Sequence, residues 1–188
     1  MTNDDRHAPP TRKTEAIPPF SLRRPRFDRV RVEETEKCGL GVFADAPIKA
    51  GHAVGQVHGE LKPADFRSHY CVEFADGALE PAPPYRFLNH CCVPNCEFVE
   101  WEIEDESETP DATENPKPIF ELWVHAIRDI AKGEELTIDY GWDWRSAIPC
   151  RCGSPDCRGW ICKVEELETC LRERGNPEDY CEDPEENL

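Results

Sequence analysis

Three thiols stand close together in the run Cys150-Arg151-Cys152-Gly153-Ser154-Pro155-Asp156-Cys157. Thiolates two and five positions apart on a tight turn can converge on one tetrahedral ion and leave it one ligand short. Such spacing points to metal rather than to a disulfide, so a fourth ligand is expected from elsewhere in the chain. Cys92 is the candidate, because the segment from Arg86 to Asn95, Arg-Phe-Leu-Asn-His-Cys-Cys-Val-Pro-Asn, is itself dense in functional side chains. Its neighbour Cys91 stays open as an alternative. Four thiolates at about 2.3 Å close the coordination sphere, so a structural zinc is expected that staples the tail onto a site and leaves no position for a reactive water. Cys38, Cys71, Cys96, Cys162, Cys170 and Cys181 read as buried or incidental thiols.

The chain that must position these groups has 188 residues, enough for one domain with a core that needs no disulfides. Eleven cysteines, an odd number, fit a reducing compartment. The first 27 residues lack the apolar stretch of a secretory signal, and no apolar run reaches the length of a membrane span. A soluble intracellular protein, cytoplasmic or nuclear, with no membrane partner is therefore expected. The formal charge is -17, and because the N-terminal arm is basic, the remainder holds about -20. A surface that acidic repels phosphate backbones and attracts basic proteins, so a basic protein or peptide is the expected partner and direct nucleic-acid binding is not.

Residues 1–26 mix Pro, Arg and polar residues without apolar periodicity and read as a disordered arm. Strand-like alternation follows at Arg29–Val32, Val42–Ala44, Ala53–Val57, His69–Phe74 and, after an Asp76-Gly77 turn, Ala78–Glu80. Pro81, Pro83 and Pro84 enforce an extended approach to the Asn89-His90 segment. Two longer strands are predicted at Cys96–Ile103 and Ile119–Ala126, joined by a mobile acidic loop over 104–118, and another at Glu134–Tyr140. Helical spacing is confined to Val164–Arg174, through Val164, Leu167 and Leu171, so the fold is predicted to be mainly β.

Four motifs occur in order: Gly39-Leu40-Gly41-Val42-Phe43-Ala44, the Arg86–Asn95 segment, Gly133-Glu134-Glu135-Leu136-Thr137-Ile138-Asp139-Tyr140, and the cysteine tail. Together, over about residues 27–163, they resemble the SET-domain family of protein-lysine methyltransferases with a post-SET zinc motif. The resemblance implies small β-sheets, a C-terminal pseudoknot that threads the Asn89-His90 segment against the last strand, and a zinc-bound post-SET tail. It places the catalytic domain at 27–145, the zinc segment at 146–163, and a helix with an acidic tail at 164–188. The short stretch from Gly59 to Tyr70 implies a minimal variable insert.

The resemblance also implies S-adenosyl-L-methionine as methyl donor, held by Cys38, Gly39, Leu40 and Gly41 at the glycine turn and by Asn89 and His90, with Trp160 covering it from the tail. Cys91 stands where the family has Ser, which exchanges a good hydrogen-bond donor for a weak one. Cys92 matches the ligand that joins Cys150, Cys152 and Cys157 around zinc. Tyr140 is the implied catalytic residue and Tyr70 a second tyrosine of the lysine channel, with Trp142 and Trp144 as possible walls. Methyl transfer from a sulfonium to an amine needs a neutral lysine, a dry channel and fixed oxygens that aim the lone pair, which two rigid phenols supply. The sulfonium charge and desolvation both lower the lysine pKa, so no dedicated strong base is needed. Ile138 offers no hydroxyl where relatives carry Phe or Tyr, which implies room for di- or trimethyl products. Two rivals remain: a SET-like module that binds peptide or cofactor without turnover, and a zinc-ribbon nucleic-acid binder, which the acidic charge opposes.

Overall fold

The computed structural model describes residues 29–36, 38–74, 77–103 and 119–180. The basic arm, the acidic 104–118 stretch, Asp76 of the expected turn and the C-terminal acidic tail with Cys181 lie outside them. Three small sheets form the body. The first runs in the order β1 (Val30–Glu34), β2 (Leu40–Ala44), β10 (Glu135–Ile138) and β7 (Asn89–His90). The second is β3 (Ala53–Gln56), β9 (Ile119–Ala126) and β8 (Cys96–Ile103); the third is β4 (Gly59–Lys62), β6 (Gly77–Pro81) and β5 (Val72–Phe74). Pairing is antiparallel except between β7 and β10, which run parallel with Asn89 opposite Thr137 and His90 opposite Ile138. The mainly β architecture is the predicted one.

Inward-facing residues of the sheets meet in one core, where Val42, Ala44, Val124 and Leu136 are completely buried. The alternation Leu136-in, Thr137-half, Ile138-in along β10 is the period-2 pattern expected of a strand with one face on a core. Asn95 is the polar exception, 1% exposed. Its carboxamide donates to the Glu135 carbonyl at 2.7 Å and accepts from the Thr137 amide at 2.8 Å, and its own carbonyl accepts from Ile127. A buried Asn with its backbone and side chain paired in this way stitches the 89–95 segment to β10, the threading that makes the pseudoknot.

Three boundaries differ from the sequence-based expectation, the first two because a side chain captures a backbone group. The strand predicted from His69 begins only at Val72, because the Ser68 hydroxyl accepts from the amides of Tyr70 and Cys71 and turns the chain. The strand predicted through Tyr140 ends at Ile138, because the Tyr140 amide donates to His90 rather than to a neighbouring strand. The predicted helix from Val164 opens as a 3-10 turn over Val164–Glu166 and becomes α1 at Leu167–Arg174. The short insert after Gly59 holds β4, which the alternation in Gly59–Lys62 is too brief to announce.

Beyond the sheets, residues 144–180 build a second, smaller core from Ala147, Trp160, Cys162 and Cys170, with Trp144 and Leu167 packed against it. Helix α1 thus has a packing partner of its own. The 175–180 segment returns over the same cluster, Tyr180 meeting the Trp160 ring edge-on at 5.1 Å.

Candidate active site and thiol cluster

Two grooves open on either side of Asn89, where β2, β7 and β10 come together. The smaller, about 230 Å³, is lined by Cys38, Gly39, Leu40, Tyr70, Arg86, Phe87, Leu88, Asn89 and Tyr140. The larger, about 380 Å³, is bordered by the Glu34–Glu36 edge, Cys38, Phe43, Asn89, His90, Cys91, Glu135, Thr137, Arg151 and Cys152. Tyr70 and Tyr140, far apart in sequence, therefore share a groove with the glycine turn. Asn89 and His90 share the other with Cys91.

The glycine turn is shaped by close approach. Gly39 adopts φ +69°, a left-handed conformation that favours glycine. At Gly41 a Cβ would come within 2.6 Å of a Glu135 carboxylate oxygen and 3.2 Å of the Asn89 amide nitrogen. That nitrogen donates to the Leu40 carbonyl at 3.0 Å and to Glu135 at 2.8 Å, which locks β7 to the turn. Gly41 thus serves the packing of the turn against Asn89 and Glu135.

Tyr140 leaves β10 and projects across the site. Its hydroxyl donates to the Leu88 carbonyl at 2.8 Å, and burial pushes its pKa up to about 12, so the phenol stays protonated over the physiological range. The ring lies 5.2 Å from Trp142 and 5.4 Å from His90. His90 is inward-facing; its Nδ1 accepts from the Tyr140 amide at 3.2 Å and its Nε2 lies 3.4 Å from the Cys92 sulfur. With Nδ1 accepting, the hydrogen-bond network assigns the ring proton to Nε2, which then donates to that sulfur. Burial lowers His90 to about 4, against the opposing pull of Asp139, and keeps the imidazole neutral.

Tyr70 sits at the rim, nearly half exposed. Arg86 stacks on its ring at 3.9 Å and donates to Glu80 at 2.7 Å, and Glu80 also accepts from the Ser68 hydroxyl at 2.5 Å. A turn and a cation thus hold the phenol from two sides.

The thiols of Cys92, Cys150, Cys152 and Cys157 all lie within 4.8 Å of one another, with Cys92 3.6 Å from Cys150 and 3.9 Å from Cys157. Those separations are far too long for a disulfide. Tetrahedral zinc with bonds of about 2.3 Å requires sulfurs about 3.8 Å apart, so the donor set and its spacing fit the ion. Backbone amides of Arg158, Cys152 and Gly159 donate to the Cys92, Cys150 and Cys157 sulfurs, each at 3.4 Å, as thiolate ligands need. Burial pushes the Cys92 thiol up to about 11. It also opposes ionisation of Cys152, which amide donors and neighbouring thiols nonetheless bring down to about 6. A bound dication favours the thiolate form at all four. Cys91 is not in the cluster and faces the larger groove.

Trp160 lines neither groove. Its indole is completely buried in the second core and donates to the Gly175 carbonyl at 3.2 Å, which ties the cysteine loop to the C-terminal end of α1. Trp144 packs on the same cluster, while Trp142 stands beside Tyr140. Ile138 is buried in the main core. Three residues of evident structural weight were left without a role by motif reading: Asn95, Asp139 and Arg158. The available signal was position, since Asp139 immediately precedes Tyr140 and Arg158 immediately follows Cys157.

A family model described as SET domain matches residues 39–141, more than half of the chain. The chain is similar to "Histone-lysine N-methyltransferase ASHR3" of Arabidopsis thaliana, 28% identical over 161 residues that cover 76% of this chain and 30% of that protein. It is also similar to "Histone-lysine N-methyltransferase, H3 lysine-36 specific" of Schizosaccharomyces pombe, 32% identical over 159 residues, 74% of this chain and 18% of the relative. The chain spans less than a third of the length of either relative. Among solved structures, KRYPTONITE in complex with mCHG DNA and SAH matches with a TM-score of 0.56 at 22% identity, covering 70% of this chain and 28% of that one. KRYPTONITE in complex with mCHH DNA, H3(1-15) peptide and SAH matches with a TM-score of 0.55 at 23% identity, covering 70% and 29%. The structural likeness establishes the shared fold.

Proposed function

This chain belongs to the SET-domain family, and from that premise we propose that it transfers a methyl group from S-adenosyl-L-methionine to the side-chain amine of a lysine in a basic protein, a histone by the names of its relatives. The observation that carries this reading is the convergence of Tyr70 and Tyr140 on one groove with the glycine turn and Asn89. The two phenols are the proposed catalytic pair. Cys38, Gly39, Leu40, Gly41, Asn89 and His90 are the proposed cofactor contacts; Cys92, Cys150, Cys152 and Cys157 are the proposed zinc ligands.

When bound, the sulfonium cofactor supplies an electrophilic methyl group and a positive charge. Tyr140, fixed by Leu88 and by the ring contacts of His90 and Trp142, orients the amine, and Tyr70 with the stacked Arg86 walls the entrance. Rigid phenols stiffly held raise the fraction of time the lone pair points along the line of displacement. The apolar side chains of Leu40, Phe87 and Leu88 reduce the hydration of an amine in the groove and so favour its neutral form. Cys92, Cys150, Cys152 and Cys157 would hold a structural zinc, which would keep the tail folded against the larger groove that Arg151 and Cys152 border.

The formal charge of -17 supports a basic acceptor, and relatives named as histone methyltransferases support a nuclear site of action. No helix among the described residues is long and apolar enough to cross a membrane. The test is incubation of the full chain with S-adenosyl-L-methionine and core histones, with methyl-lysine read by mass spectrometry for wild type and Tyr140→Phe. Methyl-lysine that forms with wild type and collapses with the variant supports the enzyme. Cofactor binding without transfer to any basic acceptor would move the assignment to a non-catalytic binding module.

A further inference from the structure

Asp139 and Arg158 form an ion pair between the thiol cluster and the Tyr140 segment. Arg158 donates from Nη1 to Asp139 Oδ2 at 2.6 Å and from Nη2 to Oδ1 at 2.8 Å, a fork that fixes both position and plane of the carboxylate. Nη2 also reaches the Cys162 carbonyl at 3.2 Å. The arginine is deeply placed, its side chain 11% exposed, and its Nε is buried with no partner among the described residues. A buried donor left unpaired destabilises, so the fork is formed against a local cost.

Each end of this pair is attached to a different functional element. The Arg158 backbone amide donates to the Cys92 sulfur, and the preceding residue is the cluster thiol Cys157. At the other end, Asp139 Oδ1 accepts from the Gly141 amide at 3.2 Å, so one carboxylate grips the backbone on both sides of Tyr140. The Tyr140 amide itself donates to His90, whose far nitrogen meets Cys92. Tyr140 is therefore bracketed by two connections that both end on the thiol cluster, one through His90 and one through Asp139 and Arg158. Without Arg158, the half-buried Asp139 carboxylate would stand 3.4 Å from the lone-pair nitrogen of His90 with no cation to offset it, and the 139–141 backbone would be pushed toward solvent.

We propose that Arg158 is a positioning residue that links closure of the thiol cluster to the placement of Tyr140, through the Asp139 carboxylate and the 139–141 backbone. The kinetic consequence rests on the methyltransferase reading; the structural consequence does not. Lysine cannot substitute, since a single ammonium holds one carboxylate oxygen at a time.

The full zinc-loaded chain is compared as wild type, Arg158→Ala, Arg158→Lys, Asp139→Asn and the Asp139→Asn/Arg158→Ala double variant. Zinc content, amide hydrogen exchange over residues 136–142, and kcat and KM on core histones are measured. Arg158→Ala is expected to keep its zinc, to exchange the 139–141 amides about tenfold faster, and to lose about tenfold or more in kcat with KM within about twofold. Arg158→Lys should recover little of the exchange protection, and the double variant should be no worse than the more damaged single one, because the pair acts as a unit. Unchanged exchange at 139–141, loss of zinc from both Arg158 variants, or additive effects in the double variant would each overturn the proposal. Should Arg158→Ala not fold, Arg158→Lys and Asp139→Asn decide by the same exchange measurement. If wild type transfers no methyl group, the exchange result still stands, which separates failure of this inference from failure of the functional reading.

Discussion

The three-sheet body and the tail from Trp144 onward are held together by different physics. In the body, apolar side chains from all three sheets meet in one continuous core with Val42, Val124 and Leu136 fully buried. The tail has a core of a few residues, and the three thiols it brings to the cluster with Cys92 are only half-buried. Burial of that scale does not by itself hold a loop-rich segment in place, whereas zinc coordination by the proposed ligands would. The site lies where the two regimes meet: Tyr140, His90 and Asp139 belong to the body, while the thiol cluster that Cys92 shares with the tail meets His90 and the tail's Arg158 grips Asp139. A rigid body thus carries the groove, and a separately stabilised tail completes it.

The sharpest way to break this comparison is to remove the metal. Chelation is expected to abolish methyl transfer while most of the β-sheet signal in far-UV circular dichroism persists; sheet signal lost together with zinc would show that the body depends on the tail. Next in size is Tyr140→Phe, which should lower kcat roughly 10²-fold with zinc content unchanged, as removal of a fixed hydroxyl from a transition state does. Leu136→Ala acts on the opposite region. A cavity at a fully buried strand position should cost about 2–5 kcal/mol in denaturant unfolding and leave the zinc stoichiometry at wild-type level.

Tyr140 also sharpens the comparison through pH. Its native pKa is raised to about 12, so the folded state holds the phenol proton more tightly than the unfolded chain. The associated stability is fully present below the unfolded pKa of about 10 and is lost as pH rises from there through about 12. Phenolate absorbance of wild type minus Tyr140→Phe should accordingly show a midpoint well above 10, and a midpoint at or below 10 would contradict the buried placement. The smallest effect belongs to Cys91→Ser. Because Cys91 faces the larger groove and stands outside the thiol cluster, the change should leave zinc content intact and shift cofactor affinity only a few-fold, read by calorimetry.

Much of this was legible in the residues. Cys150, Cys152 and Cys157 announce a metal by local spacing, and the long strands Cys96–Ile103 and Ile119–Ala126 are visible because alternation over eight residues is hard to mimic. Boundaries at Ser68 and Tyr140 were not legible, since a side chain that takes a backbone hydrogen bond can end a strand without changing its apolar pattern. The place of Trp160 was equally hidden. A tryptophan beside a zinc loop suits a ligand cover or a core, and the return of the 175–180 segment over it puts it in the core. Asp139 and Arg158 look like ordinary strand-end and loop charges until the pseudoknot brings them together.

What the sequence by itself determined was the chemistry available: four thiols suited to zinc, two phenols, an Asn-His pair, a glycine turn, and alternation that makes the chain mainly β. Spacing and side-chain type are local properties, and local properties survive reading in one dimension. Only the tertiary structure decided which groups face one another: Tyr70 with Tyr140, Cys92 rather than Cys91 with the tail thiols, and Arg158 with Asp139. Those pairings depend on the parallel insertion of β7 beside β10, a long-range contact whose register is set by the packing of the whole core.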